Sequence, residues 1–298
     1  MQKHTSYVLI TGCGEGGIGH ALAVEFQRKG AVPFYPSIPF PSANKGYPGY
    51  VVFATLLPHE ARGHLTQIGI TVVNADVTSD EDIRSLRDLI SATSGGRLDI
   101  LVNNAGICYT MTAIDSDVKE VEKMFAVNVF GPIRMVHILH PLLIRARGSI
   151  VNIGSVGGIV PYVYGSSYNA AKAALHHWGN TLRVELKPLG VNVVNIISGE
   201  IGTNILKRDR GRKLPDASFY HSLAEDFESH VGRTPKTTKP HEYARSVVAE
   251  VTKPNPRIWF WTGATSSLVW FGDTFLPRWI WDWLFTREFK LARLSRPQ

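Results

Sequence analysis

Short apolar runs recur along this chain, with polar, helix-patterned stretches between them. YVLIT (7–11), VVFAT (51–55), ITVVNA (70–75), DILVNNA (99–105), SIVNIG (149–154) and VNVVNII (191–197) are rich in valine and isoleucine. They lack polar alternation, which predicts strands covered on both faces. The stretches near 18–29, 79–92, 116–144 and 165–187 carry helical spacing instead. Such alternation predicts an α/β fold, a doubly wound parallel sheet with helices on both sides. No repeat or linker divides the chain, so a single domain over 1–298 is expected. Two stretches break the rhythm. Residues 33–49 hold five prolines and are expected to be an insertion away from any ligand. Residues 204–240 are polar and basic, which predicts a long functional loop containing a short helix.

Composition narrows the function classes. At 44% hydrophobic and 19% charged residues, the chain can bury a substantial core. Two cysteines, Cys13 and Cys108, make no disulfide framework, and a reducing compartment is expected. The amino terminus runs into an apolar strand with no room for a signal peptide, and no apolar run reaches about 18 residues. A cytoplasmic protein is therefore expected. The net charge of +7 suits anionic ligands or an acidic membrane surface, whereas no nucleic-acid motif accompanies it.

Candidate chemistry gathers at strand ends. After the first strand comes TGCGEGGIGHALA, where glycines allow close approach to a pyrophosphate and the next helix offers free N–H groups. In SYNAAKAALHHW (167–178), Tyr168 and Lys172 stand one helical turn apart with small residues between them. A phenol titrates near pH 10, too high for ready exchange at neutral pH. A lysine on the same face is expected to lower that value, letting Tyr168 donate a proton to a carbonyl or take one from an alcohol. Ser155, thirteen residues earlier at a strand end, can hydrogen-bond the same carbonyl. Asn128, in FAVNVFG, is a short amide suited to holding a bent helix.

TG(x)4GIG, NNAG (103–106), NVxG, the serine and YxxxK occur in order, and over roughly residues 5–205 the chain resembles the short-chain dehydrogenase/reductase family. The resemblance implies a Rossmann-type fold and a catalytic set of Ser155, Tyr168, Lys172 and Asn128. It implies that Gly12, Ile18 and Gly19 line the pyrophosphate, that Asp76 binds the adenine and that Asn103 lies against the ribose. Ile201 and Thr203 would contact the carboxamide, Lys172 would also hold the nicotinamide ribose, and Arg134 is a further candidate. Within the family the chain is most like fungal NADPH-dependent 1-acyldihydroxyacetone-phosphate reductases and related ketoreductases of secondary metabolism. NADP(H) is the expected cofactor, although Leu56 and Leu57 stand where arginines usually receive the 2′-phosphate. No acid stands there either, and His59 and Arg62 are the nearby substitutes. The expected substrate is an apolar or lipid-like ketone or alcohol. A silent nucleotide-binding scaffold or a membrane-surface protein is the alternative, and a homo-oligomer is compatible with either.

Three further features bear on partners. His137 and His140 have no carboxylate or cysteine at ligand spacing and are read as helix residues; no metal is expected. The run KRDRGRK (207–213) holds five basic residues, read as a solvated lid edge or as an attractor of phosphate. Six of seven tryptophans fall within 259–283, interleaved with basic residues. The tail, 258–298, thus reads either as an interfacial anchor, on endoplasmic reticulum or lipid droplets, or as an apolar roof over the substrate.

Overall fold

The computed structural model describes residues 5–30, 49–233 and 237–294. Its first half alternates β1 (Ser6–Ile10), α1 (Ile18–Gly30), β2 (Tyr50–Leu56), α2 (Gly63–Gln67), β3 (Thr71–Asn74), α3 (Asp80–Ser94) and β4 (Ile100–Asn103). The long helical pattern after it is interrupted. Helix α4 (Val118–Phe125) passes through a wide π turn, Ala126–Phe130, into α5 (Gly131–Ala146). Pro132 causes part of this, because it has no N–H for the carbonyl of Asn128 four residues back. Then come β5 (Ser149–Ile153), α6 (Ser166–Leu186), β6 (Asn192–Ser198), α7 (Ala224–Gly232), α8 (Pro240–Val251), β7 (Trp259–Thr262), α9 (Ser266–Phe275) and α10 (Trp279–Glu288).

All seven strands pair in parallel, in the order β3-β2-β1-β4-β5-β6-β7. Alternate residues of β1 explain the two layers. Val8 and Ile10 face α1 and α8 through Leu22, Phe26, Tyr243 and Val247, while Leu9 faces α3 and α5 through Leu86, Ile90 and Leu139. Burial on both faces is what the unbroken apolar runs predicted. The continuous helical stretch Val118–Ala146 is long and apolar enough to cross a membrane, yet more than half of its apolar window is buried in the domain. The stretch 258–298, read as a tail, begins instead with a seventh strand: Trp259 to Thr262 pair with Asn195 to Ser198.

The insertion expected at 33–49 lies, except for Gly49, outside the described residues. Its two flanks, however, touch. A Cβ on Gly49 would lie 2.6 Å from the carbonyl oxygen of Gly30, and the carbonyl of Gly49 accepts the N–H of Ser6 at 3.0 Å. This junction stands at the amino-terminal end of β2, opposite the strand ends where ligands bind in such sheets. Deleting Val32–Gly49 should leave turnover within about threefold and stability equal or higher, since a shorter loop costs less closure entropy. Loss of turnover in a folded deletion variant would overturn this reading.

Candidate active site

The carboxyl ends of β1, β2, β4, β5 and β6 open onto a cleft of about 750 Å³. Its floor is the glycine turn. Gly12 has φ +67° and a Cβ there would lie 2.7 Å from Ala105 Cα, so β1 and β4 approach closely only with glycine in place. Thr11 ties the same two strand ends together: its hydroxyl accepts the N–H groups of Asn104 and Ala105, each at 3.0 Å. Asn104 returns the contact, donating from Nδ2 to the carbonyls of Thr11 and Gly12. Helix α1 begins at Ile18 directly behind this turn, so its first N–H groups and positive dipole end face the cleft. A bare glycine turn, a helix amino terminus and a cleft of this size fit a dinucleotide.

The chemistry lies on one face of α6. Tyr168, Lys172 and His176 follow one another at helical spacing, and Lys172 and His176 are buried. Lys172 donates from Nζ to the carbonyl of Ile153 at 2.8 Å, and its ammonium is 5.7 Å from the centre of the Tyr168 ring. Burial pushes the Lys172 pKa down to about 8. Ser155 follows β5, and its hydroxyl accepts the N–H of Gly157 at 3.1 Å. Asn128 is fully enclosed in the π turn, where Oδ1 accepts from the Ile107 N–H at 2.9 Å and Nδ2 donates to the Ile107 carbonyl at 2.8 Å. It therefore clamps the loop after β4 against the bend between α4 and α5.

A second cavity, about 490 Å³, meets the cleft at Ser155, Tyr168, Gly199 and Ile201. Its walls are mostly apolar and aromatic, from Val156, Val160, Tyr162 and Tyr164 to Trp281 and Phe285. One end is polar. There Arg233 lies 3.9 Å from Glu200 and donates to His230 at 2.8 Å, with Glu288 also on the wall. Burial holds His230 neutral, its pKa pushed down to about 3 with the Arg233 charge adding to the effect.

Residues 51–213 match the short chain dehydrogenase family. The chain belongs to that family. It is 62% identical over 269 residues to the short-chain dehydrogenase anuB of Penicillium roqueforti, covering 90% of this chain and 87% of that one. With the short-chain dehydrogenase RED1 of Pyricularia oryzae it shares 57% over 295 residues, covering 98% and 97%. An NADPH-dependent 1-acyldihydroxyacetone phosphate reductase of Schizosaccharomyces pombe is 37% identical over 219 residues, covering 72% of this chain and 68% of that one. A solved short-chain dehydrogenase from Streptomyces avermitilis superposes with a TM-score of 0.73 over 97% of this chain and 98% of that one, at 23% identity. That likeness speaks for the fold.

Within this short-chain dehydrogenase, Ser155, Tyr168 and Lys172 line one cleft with Gly12, Ile18, Asp76, Ile201 and Thr203. Other expected positions do not. Asn103 turns into the core and donates to Asn152 at 2.9 Å, and Asn104 stands on the cleft wall instead. Gly19 is buried behind the turn, where a Cβ would meet Asn104 Nδ2 and the Gly12 carbonyl, each at 2.5 Å. Arg134 pairs with Asp80 at 3.4 Å on the surface between α5 and α3. Arg62 is exposed and off the cleft. The acid thought absent beyond β2 is present in space: Glu60 accepts the Leu57 N–H at 2.8 Å, with its carboxylate against Gly14. Nor is the Tyr168 pKa lowered overall. Burial raises it well above that of a free phenol, against the opposing pull of the Ser155 hydroxyl. Of the described side chains in the basic run 207–213, only Lys207 reaches either cavity. Asp209 in that run is buried and anchors it, accepting from Thr110 N at 2.9 Å and Thr110 Oγ1 at 2.7 Å while Arg212 pairs with its other oxygen.

His176 has a role that no sequence motif signals. Its Nε2 accepts the backbone N–H of Ser155 at 3.2 Å, while the adjacent His177 faces solvent. Burial and the Lys172 charge push the His176 pKa down to about 3. An unfolded chain protonates histidine near 6.5, so the contribution of this ring is complete above about pH 6.5 and declines as pH falls toward 3. Between about pH 6 and 4 the slope should be about 1.4 kcal/mol per pH unit from this one group. Denaturant melts across that range should show it in the wild type and not in His176→Gln. Equal slopes in the two proteins would refute the assignment.

Proposed function

We propose that this dehydrogenase interconverts an apolar ketone or aldehyde and its alcohol, with NADP(H) as cofactor. The observation that carries this reading is the junction: Ser155 and Tyr168 are the side chains shared by the dinucleotide cleft and the apolar cavity, apart from Ile201 and Ile205. A nicotinamide, when bound, supplies or accepts hydride. Tyr168 gives its phenolic proton to the carbonyl oxygen as negative charge develops there, and Ser155 orients that oxygen by a hydrogen bond. The raised Tyr168 pKa keeps the proton on the phenol at neutral pH. Lys172, fixed on the Ile153 carbonyl, holds positive charge beside the ring and steadies the phenolate once the proton has left. Asn128 acts through the loop it clamps rather than by touching the reacting atoms.

The apolar walls of the substrate cavity and the acids Glu200 and Glu288 beside Arg233 favour a neutral, lipid-like or polyketide-like carbonyl over a phosphate ester. NADP(H) rests on the resemblance and on the NADPH-dependent relative. NAD(H) is the second reading, favoured by Glu60, whose carboxylate suits ribose hydroxyls better than a 2′-phosphate. Titrating both cofactors by fluorescence, then following NADPH oxidation with matched neutral and phosphorylated ketones, tests all of this. NADPH should bind more tightly and neutral ketones should turn over faster. NADH binding equally or better would transfer the assignment to NAD(H). Cofactor binding without turnover of any carbonyl would leave a nucleotide-binding scaffold.

A further inference from the structure

Helices α9 and α10 have two different faces. Inward, Val269, Trp281, Leu284 and Phe285 line the substrate cavity, and Gly272 lets the helices touch, since a Cβ there would lie 2.5 Å from the Trp281 ring. Outward, Trp270, Phe271, Phe275, Leu276, Trp279 and Trp283 stand between 43% and 62% exposed. Single exposed apolar residues are ordinary, but six within fourteen positions are a concentration of the kind that marks a partner. Its rings already pack on one another, Phe275 against both Trp270 and Phe271.

Exposed arginines border the patch, beside Asp273 and Asp282. Arg278, between the helices, has its side chain 87% exposed and lies 3.9 Å from Asp273, and Arg287 lies over the Trp283 ring at 5.7 Å. Lys290 and Arg293, by contrast, are both committed to Asp226 on α7 and anchor the end of the unit to the domain. Tryptophan and phenylalanine beside exposed arginines, on two short helices of a chain carrying +7, match the headgroup zone of an anionic bilayer. There the rings enter the acyl boundary while the guanidinium groups meet lipid phosphates.

We propose that the outer face of α9–α10 docks on an anionic lipid surface while the inner face roofs the substrate cavity. The two readings of the aromatic stretch are then two sides of one unit. Docking goes beyond the reaction assigned above and is independent of it; the apolar cavity beneath the roof gives the docking its purpose, since an apolar carbonyl partitions into lipid. Truncation would open the cavity, so the test uses point variants on the outer face.

The full-length protein and the double variant Trp279→Glu/Trp283→Glu should be floated with phosphatidylcholine vesicles with and without phosphatidylserine. Both should also be sized by light scattering and assayed on a water-soluble ketone. The wild type should float with the anionic vesicles and be released by salt. The variant should partition at least about tenfold less, with its melting temperature and ketone turnover retained. Failure of the wild type to float with either vesicle would overturn the proposal. So would a wild-type dimer that the double variant converts to monomer, which would assign the patch to a second copy. Loss of ketone turnover in both proteins with flotation intact would strike the reaction assignment alone.

Discussion

Replacing Tyr168 by phenylalanine should lower turnover at least about a hundredfold, the usual order for removing a general acid. The ring stays, so packing between α6 and the Val156–Gly158 turn is kept, and the protein should melt close to the wild type. Cofactor binding should also survive, because Lys172 remains on the Ile153 carbonyl and the glycine turn is untouched. Stopped-flow reduction of a neutral ketone separates the two effects, with the cofactor dissociation constant measured beside it. Near-normal turnover would remove Tyr168 from the chemistry. Normal turnover with weakened cofactor binding would make it a binding residue only.

An effect as large should follow from one methyl group at Gly154. A Cβ there would lie 2.1 Å from His176 Nε2 and 2.8 Å from the Ile196 carbonyl. The imidazole has no room to retreat. Its far edge faces Gly158, where a Cβ would lie 2.7 Å from Cε1, and Trp259 packs beside it at 5.5 Å. Gly154→Ala should therefore displace His176, free the Ser155 N–H and shift the serine. Overpacking and a lost buried hydrogen bond together suggest a stability loss of about 3 kcal/mol. A displacement of the serine by about 1 Å is enough to cost about a hundredfold in turnover. Gly63→Ala is the control, since nothing lies within 4 Å of a Cβ at that helix start. If Gly154→Ala melts and turns over like the control, the His176 support of Ser155 is not needed.

Much of the site was legible because its signals are local. Strand ends followed by TGCGEGGIG, NNAG and the serine carry their own backbone requirements, and Tyr168 and Lys172 share a face by helical spacing alone. The misplacement of Asn103 has a simple origin. Whether a side chain at a strand end enters the cleft or the core depends on a single residue of register. At β4 the register sends Asn103 inward to a buried ladder through Asn152 to Asn195 and leaves Asn104 on the wall. Glu60 was missed because its role depends on a turn beyond β2 that folds back over Gly14. The seventh strand was missed because Trp259 to Thr262 is too short for periodicity to show, and only the free edge of β6 makes it a strand.

The sequence by itself determined the alternation of strands and helices, the buried-on-both-faces sheet and the shared face of Tyr168 and Lys172, because each follows from spacing within single elements. Tertiary structure alone decided how groups distant in the chain meet. It placed His176 under Ser155, put Glu60 at the cleft and Arg134 on a surface ion pair, and packed α9 and α10 over the apolar cavity. It also decided the ionisation of the site. Lys172 and Tyr168 stand close as the spacing required, but the desolvation that raises the phenol and lowers the ammonium comes from everything packed around them. Burial is a property of the whole fold, and no local pattern carries it.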